Sequence, residues 1–277
     1  MDGMTSRVNI FEVIRRRRSV RTFDGTPLAA HDADRIMEFA SKAENPFDIP
    51  IEWKLLDAKK EGLSSPFIAG TDTYIAGRMR RVPRAEEAFG YTFEKIVLFA
   101  ESLGIGTTWI AGTMDRRAFE RVMNVSEDEV MPCISPLGYP AAKMSFRETI
   151  MRKGVGADTR LAFEKLFFDG TFDKPLTAES AGPLALPLEA VRLAPSAVNR
   201  QPWRVVIRGG KVHFYKKQTI KTDGGSWDVQ KIDMGIALSH FELTAAECGI
   251  GTSFLIEDPE IPCAEGVVYT ASFLLAE

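Results

Sequence analysis

Two short polar segments, far apart in the sequence, have residue types and spacing that suit a phosphorylated ligand. The first contains Arg17, Arg18, Ser19 and Arg21. A guanidinium group can bind two phosphate oxygens at once, and a serine hydroxyl can donate a further hydrogen bond. These arginines also end an amphipathic helix predicted at residues 9–18, where cations complement the helix dipole. Ligand binding and helix-end solvation are therefore alternative interpretations of this segment.

The second segment is LAPSAVNRQPW at residues 193–203. Pro195 ends the preceding helix, and Ser196 and Asn199 are short polar residues that favour turn hydrogen bonds. The β-branched run at residues 204–207 predicts a strand directly after it. Local physical chemistry therefore predicts a helix-to-strand connection.

Other kinds of site find little support in the sequence. The three cysteines and three histidines lack the spacing of a disulfide framework or of metal ligands, so we expect no metal. Gly104-x-Gly106 resembles a dinucleotide fingerprint, but Trp109 occupies the third glycine position and the motif follows a helix. No Walker A or Ser-His-Asp pattern occurs, and catalytic side chains stay unassigned.

Composition restricts the class of protein. The 277 residues are 45% hydrophobic and 26% charged, with a formal net charge of −3. These values are ordinary for a globular protein and indicate neither a nucleic-acid nor a membrane-surface partner. The N-terminus lacks the pattern of a signal peptide, and no apolar run is long enough to span a bilayer. We therefore expect a cytoplasmic protein.

The elements behind the two segments form an internal repeat. A helix predicted at residues 86–103 has an apolar stripe at five positions, and a helix at residues 233–248 repeats all five 145 residues later. The same offset carries GIGTTW at residues 104–109 onto GIGTSF at residues 249–254. A shared stripe followed in register by a repeated G-I-G-T predicts an internal duplication.

The run P-S-x-x-N-x-Q-P-W resembles a signature of the FMN-dependent nitroreductase family, whose members also carry R-x-S-x-R. In that family the two motifs are close in sequence, and FMN binds between the subunits of an obligate homodimer. Here residues 17–21 and residues 195–203 are far apart. The duplication explains the separation, because one chain with two related lobes supplies both sides of the site.

The resemblance implies an α+β fold with a mostly antiparallel sheet flanked by helices, present in two related lobes of one chain. We expect a first half at residues 1–153, a connector at 154–183 and a second half at 184–277. The connector is expected to contain one short helix at residues 159–168. A monomer already provides both lobes, and the sequence leaves a homodimer open.

The resemblance also assigns residues to FMN. Arg17 and Ser19, with Arg18 beside them, belong at the phosphate. Arg21 lies towards the N1/O2 edge, where a positive charge stabilises the anionic reduced flavin. From the second half, the loop residues Pro195, Ser196 and Asn199 approach the ring and the ribityl chain.

Further contacts follow from the same resemblance. Trp109, Ile110, Ala111 and Gly112 align with the family stretch that passes the flavin, where Gly112 permits close backbone approach. Trp109 could equally belong to the core. Arg160 is the expected basic residue on the phosphate, with Arg152 as its alternative.

The symmetry-related site is incomplete. AENPFD at residues 43–48 stands where the first half would need P-S-x-x-N, and it introduces carboxylates. The second half has no R-x-S-x-R before its first helix. We therefore expect one FMN per chain.

The resemblance implies a ping-pong oxidoreductase in which NADH or NADPH passes hydride to FMN, and a nitroaromatic, a quinone or a similar small molecule then accepts the electrons. The acceptor and the preferred nicotinamide cannot be read from the sequence. Two alternatives use the same scaffold: another flavin reaction, such as ene reduction or dehalogenation, and non-catalytic flavin binding or sensing. A third is polyanion binding through the basic residues 15–18 and a predicted basic loop at residues 77–84.

Overall fold

The computed structural model describes residues 9–220 and 227–276, so the first eight residues of the N-terminal segment lie outside it. Several helices begin at a side chain that accepts a hydrogen bond from a first-turn N–H, as a favourable N-cap does. Within the described ranges, no helix has the length and apolar character needed to cross a membrane. In chain order the α-helices are α1 (Ile10–Arg16), α2 (Ala30–Lys42), α3 (Ala58–Glu61), α4 (Ala85–Ser102), α5 (Arg116–Val122), α6 (Phe146–Gly154), α7 (Ala185–Leu193) and α8 (Val229–Glu247).

The strands form two sheets. In chain order the strands are β1 (Glu52–Asp57), β2 (Thr73–Arg80), β3 (Glu129–Val130), β4 (Ile134–Leu137), β5 (Phe167–Asp169), β6 (Trp203–Arg208), β7 (Lys211–Lys217), β8 (Thr252–Leu255) and β9 (Val267–Leu275). In the first sheet, β2 pairs antiparallel with β1 along one edge and with β3 and β4 along the other. The second sheet has the order β5-β6-β7-β9-β8, in which the β5–β6 pair is parallel and the other pairs are antiparallel. The predicted α+β fold with mostly antiparallel sheets is therefore confirmed.

Two long helices join the sheets through one hydrophobic core. Helix α4 packs on β2, α8 packs on β7, and the two helices cross each other at Gly90 and Gly235. Both helices bury most of their residues, because each is covered by a sheet as well as by the other helix. This arrangement explains why their sequences are apolar on more than one face.

Equivalent elements follow one another in the same order in the two lobes. The first lobe, α1–α5 with β1–β4, contains the series α2-β1-β2-α4-β4, and the second lobe, α7, α8 and β6–β9, contains α7-β6-β7-α8-β9. The repeated G-I-G-T motifs end the long helices alike. Gly104 and Gly249 have φ of 78° and 75°, and the isoleucine after each donates a backbone hydrogen bond of 2.9 Å to an alanine of the helix. The chain thus consists of two related lobes, as predicted.

The predicted basic loop at residues 77–84 is wrong in its first half. Strand β2 continues to Arg80, because Arg78 lies opposite Glu52 of β1 and Arg80 lies opposite Glu129 of β3. The Arg78 guanidinium is 2.7 Å from the Glu52 carboxylate and 3.1 Å from that of Glu129. These cross-strand ion pairs neutralise the positive charge of Arg78, which would have to be available for polyanion binding.

The predicted helix at residues 159–168 is also wrong. Residues 163–165 form one 3-10 turn, and β5 follows because Phe167 is buried in the core and pairs in register with Val205 of β6. The helix of this region is instead α6, which the sequence did not predict. Its single buried residue is Glu148, so α6 has no apolar periodicity that could have revealed it.

Candidate functional site

The arginine segment, residues 17–21, continues from α1 in an extended conformation. Val20 donates its backbone N–H to the Thr107 carbonyl oxygen at 2.8 Å, and Ser19 and Thr107 form an isolated parallel bridge. A Cβ added to Gly106 would lie 3.0 Å from the Val20 side chain, so glycine allows the two backbones to approach. The first G-I-G-T motif therefore provides the surface on which the arginine segment lies.

Arg17 points into a buried polar cluster. Its side chain is 6% exposed, and its Nε lies 3.9 Å from the carboxylate of Glu94, a residue of α4 with no exposed surface. That carboxylate accepts a hydrogen bond of 2.9 Å from Trp109 Nε1 and lies 2.9 Å from His240 Nε2. Arg17 Nη1 is buried and has no partner among the described residues.

Arg18 and Arg21 lie near Glu148, the buried carboxylate of α6. Arg18 Nη1 is 3.5 Å from Glu148, and Thr22 donates a hydrogen bond of 2.8 Å to the same carboxylate. Burial is the main cause that lowers the pKa of Arg21, while the Glu148 charge opposes this shift and Arg152 adds to it. The positive charges of Arg18 and Arg21 are therefore only partly neutralised by Glu148.

Arg160 is the most strongly perturbed of the predicted cations. Burial lowers its pKa to about 10, and the neighbouring charges of Arg17 and Arg192 act in the same direction. Its Nη2 donates to the Leu193 carbonyl oxygen at 3.1 Å, whereas its Nε is buried without a partner in the described residues. Arg152, the alternative, pairs closely with Asp158. Of the two, Arg160 is the one with a buried donor that has no partner in the described residues.

The loop after α7 is held by its own polar residues. Ser196 Oγ accepts a hydrogen bond from the Gln201 N–H at 2.9 Å. Asn199 Nδ2 donates to the carbonyl oxygens of Gly156 and Thr159 at 2.7 and 3.0 Å, which fixes the turn directly before Arg160. The Ala197 N–H donates to Asp233 of α8 at 3.0 Å. Pro195 precedes these contacts and is half-buried.

The segment after the first G-I-G-T motif mainly presents backbone. Trp109 packs edge-on against Phe93, with ring centroids 4.6 Å apart, so its indole is part of the core. Ile110 is buried and bridges Ile134, and the Ala111 carbonyl accepts a hydrogen bond from Arg116. A Cβ added to Gly112 would meet no atom within 4 Å.

Several predicted residues from both lobes are thus brought into one region. Arg17 reaches Trp109 through Glu94, and Arg160 is linked to Arg17 by charge, to Leu193 by a hydrogen bond and to Asn199 through the turn at residues 156–159. Arg21 joins this region less directly, through the charge of Arg152, which acts on both Arg21 and Arg160. Ile110 contributes backbone alone, since its side chain is in the core.

The counterpart of this region in the other half has different chemistry. Asp48 and Asn199 each lie six residues after the last residue of the preceding helix, and both have a positive φ, of 53° and 55°. The first-lobe loop closes on itself, because Asn45 hydrogen-bonds the backbone of Phe47 and Ile49. A groove of about 540 Å³ lies beside Thr252, the repeat equivalent of Thr107, and its lining includes Tyr91, Lys95, Glu242, Leu243, Ala246, Gly249, Ile250 and Gly251.

Sequence reasoning missed four residues of the region: Glu94, Glu148, Asp233 and His240. Each is a polar residue inside a predominantly apolar or unpredicted helix, where a single sequence gives no sign of its direction. The repeat offered one usable signal. His240 and Lys95 are equivalent positions, as are Glu94 and Ser239, so a pair of glutamate and histidine occurs only once across the crossing of the two repeated helices.

Comparisons with known proteins agree with this fold. The model of the family described as TM nitroreductases matches residues 9–245. A crystal structure of a nitroreductase from Thermotoga maritima is 24% identical, and the alignment covers 99% of each chain with a TM-score of 0.64. No curated protein matches the chain.

Other nitroreductase structures align with about half of the chain. A nitroreductase family protein from Clostridium novyi NT is 19% identical, with 49% of this chain and 87% of the other covered and a TM-score of 0.42. An FMN-dependent nitroreductase from Clostridium difficile R20291 is 18% identical, with 51% and 94% covered and a TM-score of 0.41.

Proposed function

The chain belongs to the TM nitroreductase family, and from that premise we propose that it is an oxidoreductase that binds one FMN between its two lobes. The observation that carries this proposal is the pair of guanidinium groups of Arg17 and Arg160, each of which has one buried N–H without a partner among the described residues. A buried hydrogen-bond donor without an acceptor destabilises the folded protein, and a phosphate oxygen would provide that acceptor.

The donor set fits the phosphate of FMN. Two arginines whose charges act on each other, in a region where burial lowers the pKa of Arg160 to about 10, favour an anion. The hydroxyls of Thr107 and Thr108 are also buried without partners in the described part of the chain, and they lie beside the arginine segment. Charged and neutral donors together suit a ligand with a phosphate and a polar chain.

The remaining residues would then orient the cofactor. Ser19 and Arg18 would assist Arg17 at the phosphate, while Arg21, only partly matched by Glu148, would stabilise negative charge at the pyrimidine edge. The space around Gly112 would admit the ring against the backbone of residues 109–112. The loop with Pro195, Ser196 and Asn199 would close the site from the second lobe. When bound, FMN would supply the redox chemistry, with NADH or NADPH as its reductant.

We infer a single site per chain from the asymmetry of the lobes. Lys95 of α4 donates a hydrogen bond of 3.1 Å to the Glu44 carbonyl oxygen of the counterpart loop, so this cation is engaged. The groove beside Thr252 contains the Glu242 carboxylate, which would repel a phosphate. Neither feature supplies a cluster of arginines.

The acceptor would be a small electron-poor molecule such as a nitroaromatic or a quinone, in a cytoplasmic setting with reduced nicotinamides. The proposed site takes all its residues from one chain, so catalysis would not require a second copy. Another flavin reaction, or flavin binding without turnover, would use the same cofactor contacts. Experiment has to distinguish these alternatives from the proposed reaction.

The test is anaerobic reduction of the FMN-loaded protein by NADH and by NADPH, followed at the flavin absorption bands. We expect at least one nicotinamide to bleach the bands within seconds and an added quinone or nitroaromatic to restore them. Arg17→Ala protein, expected to bind FMN more weakly, is the control for reaction of free flavin, because more of its FMN is in solution. A bound flavin that neither nicotinamide reduces would instead support a sensing protein.

A further inference from the structure

The cluster around Glu94 joins the two lobes inside the helix crossing. Glu94 of α4 and His240 of α8 are both without exposed surface, and Glu94 Oε1 lies 2.9 Å from His240 Nε2. On its other side, His240 Nδ1 lies 2.8 Å from the carbonyl oxygen of Ala190 in α7. Arg17 approaches the same Glu94 oxygen at 3.9 Å. The Glu94 carboxyl group therefore lies close to two basic side chains, Arg17 from the first lobe and His240 from the second.

Hydrogen-bond chemistry determines how many protons this pair holds. A carbonyl oxygen only accepts, so His240 Nδ1 must carry a proton. The contact between Nε2 and Oε1 also needs one proton, because two lone pairs at 2.9 Å repel. The pair is either imidazolium with carboxylate or imidazole with carboxylic acid. In both cases its net charge is zero.

Neutrality of this pair has a consequence for Arg17. Without His240 and the proton that it shares with Glu94, the Glu94 carboxylate would compensate the Arg17 guanidinium 3.9 Å away. With His240 present, the carboxylate is already balanced, and Trp109 Nε1 occupies its second oxygen at 2.9 Å. Arg17 consequently keeps an uncompensated charge and a buried Nη1 donor without a partner among the described residues.

We infer that His240 is a positioning residue that cancels the charge of Glu94, so that the charge of Arg17 remains available to the cofactor phosphate. This inference rests on the proposed function, since it needs a phosphorylated flavin beside Arg17. It adds that phosphate affinity depends on contact between the lobes, because the neutralising group belongs to α8 whereas Glu94 and Arg17 belong to the first lobe.

The test compares FMN with riboflavin, which lacks the phosphate, by flavin fluorescence titration of apoprotein at pH 8. The variants are His240→Gln, Glu94→Gln and the double variant. Glutamine keeps a donor towards Glu94 but carries no charge, so His240→Gln leaves the carboxylate unbalanced. We expect FMN affinity to fall about tenfold in His240→Gln while riboflavin affinity changes less than twofold, because only the phosphate senses the added charge. In Glu94→Gln/His240→Gln the loss should be reversed to within about threefold.

Two results would overturn the inference. One is an equal loss of FMN and riboflavin affinity in His240→Gln, which would indicate general disruption of the site. The other is a double variant that stays as weak as His240→Gln. If His240→Gln does not fold, Glu94→Gln alone decides: the inference requires FMN affinity to be unchanged or higher, and a selective loss of FMN contradicts it. Failure of the unaltered protein to bind FMN would instead refute the proposed function.

Discussion

Gly90 of α4 and Gly235 of α8 occupy equivalent positions and lie against each other's helix in the same way. A Cβ on Gly90 would lie 2.0 Å from the carbonyl oxygen of Ile232, and a Cβ on Gly235 would lie 2.0 Å from that of Glu87. Both partners are related by the 145-residue offset of the repeat. The crossing is therefore symmetric within one chain, which is the relation expected of two copies across a twofold axis.

Replacing either glycine with alanine should separate the long helices. We expect Gly90→Ala to lower the free energy of unfolding by about 3 kcal/mol, because the backbone atoms that a methyl group would meet cannot move aside. Gly235→Ala should cost a similar amount. The measurement is chemical denaturation followed by circular dichroism.

Gly154→Ala is the matched control for this prediction. A Cβ at Gly154 would meet no atom within 4 Å, and the residue ends α6. The free energy of unfolding of Gly154→Ala should stay within about 1 kcal/mol of that of the unaltered protein. Equal stability of Gly90→Ala and Gly154→Ala would mean that the helices do not cross closely at Gly90.

Adjacent arginines at the end of α1 should differ in their effect on the cofactor. Arg17→Ala should weaken FMN about thirtyfold, or about 2 kcal/mol, since it removes a charged donor from a buried site. Arg16 is exposed and pairs with Glu101 at 2.9 Å, so Arg16→Ala should change FMN affinity less than twofold. Calorimetric titration of both apoproteins would check this. Similar losses for the two variants would argue against the role of Arg17.

The choice between Arg160 and Arg152 can be made by the same titration. Arg160→Gln should weaken FMN at least tenfold and riboflavin much less, because its orphaned Nε is assigned to the phosphate. Arg152→Gln should have a smaller effect, since Arg152 is paired with Asp158. The reverse ranking would transfer the phosphate assignment to Arg152.

Asp233 should make stability depend on pH. Burial raises its pKa well above the usual 3.8, although the hydrogen bond from the Ala197 N–H opposes the shift. The folded state therefore binds this proton more tightly than the unfolded state, and stability from this group is complete at low pH and falls as pH rises above about 4. An asparagine side chain cannot ionise, so Asp233→Asn should be more stable by about 1 kcal/mol or more at pH 8, with little gain at pH 4.

Thermal melting of apoprotein between pH 4 and pH 8 would measure this difference. The exposed substitution Asp34→Asn is the control, and its effect on stability should be small at every pH. A gain for Asp233→Asn that does not grow with pH would show that Asp233 is not a buried proton carrier.

The parts of the fold that repeat were predictable from the sequence. Helices α4 and α8 and the glycines that end them follow from apolar periodicity and from the 145-residue offset, and strand β6 follows from the β-branched run at residues 204–207. Helix α6 and the absence of a helix at residues 159–162 were not predictable, because tertiary contacts determine them. Glu148 of α6 accepts a hydrogen bond from Thr22 and pairs with Arg18, and Phe167 of β5 pairs with β6 at the edge of the second sheet.

The site was predictable to a smaller extent. The predicted residues Arg17, Arg160 and Asn199 are linked in space, and Asp48 has the same position after its helix, and a similar φ, as Asn199. What the sequence could not reveal is which polar residue of a buried helix faces which lobe. Glu94 and His240 are 146 positions apart, and no local rule relates them.

The most direct test of the central claim is the ratio of FMN to protein in the reconstituted and desalted protein. Absorption at the flavin bands, with the protein concentration determined independently, gives this ratio. One site formed by the arginine segment of the first lobe and the Pro195–Asn199 loop of the second predicts a value close to one FMN per chain. A ratio near two, or the absence of flavin bands after FMN has been added, would contradict it.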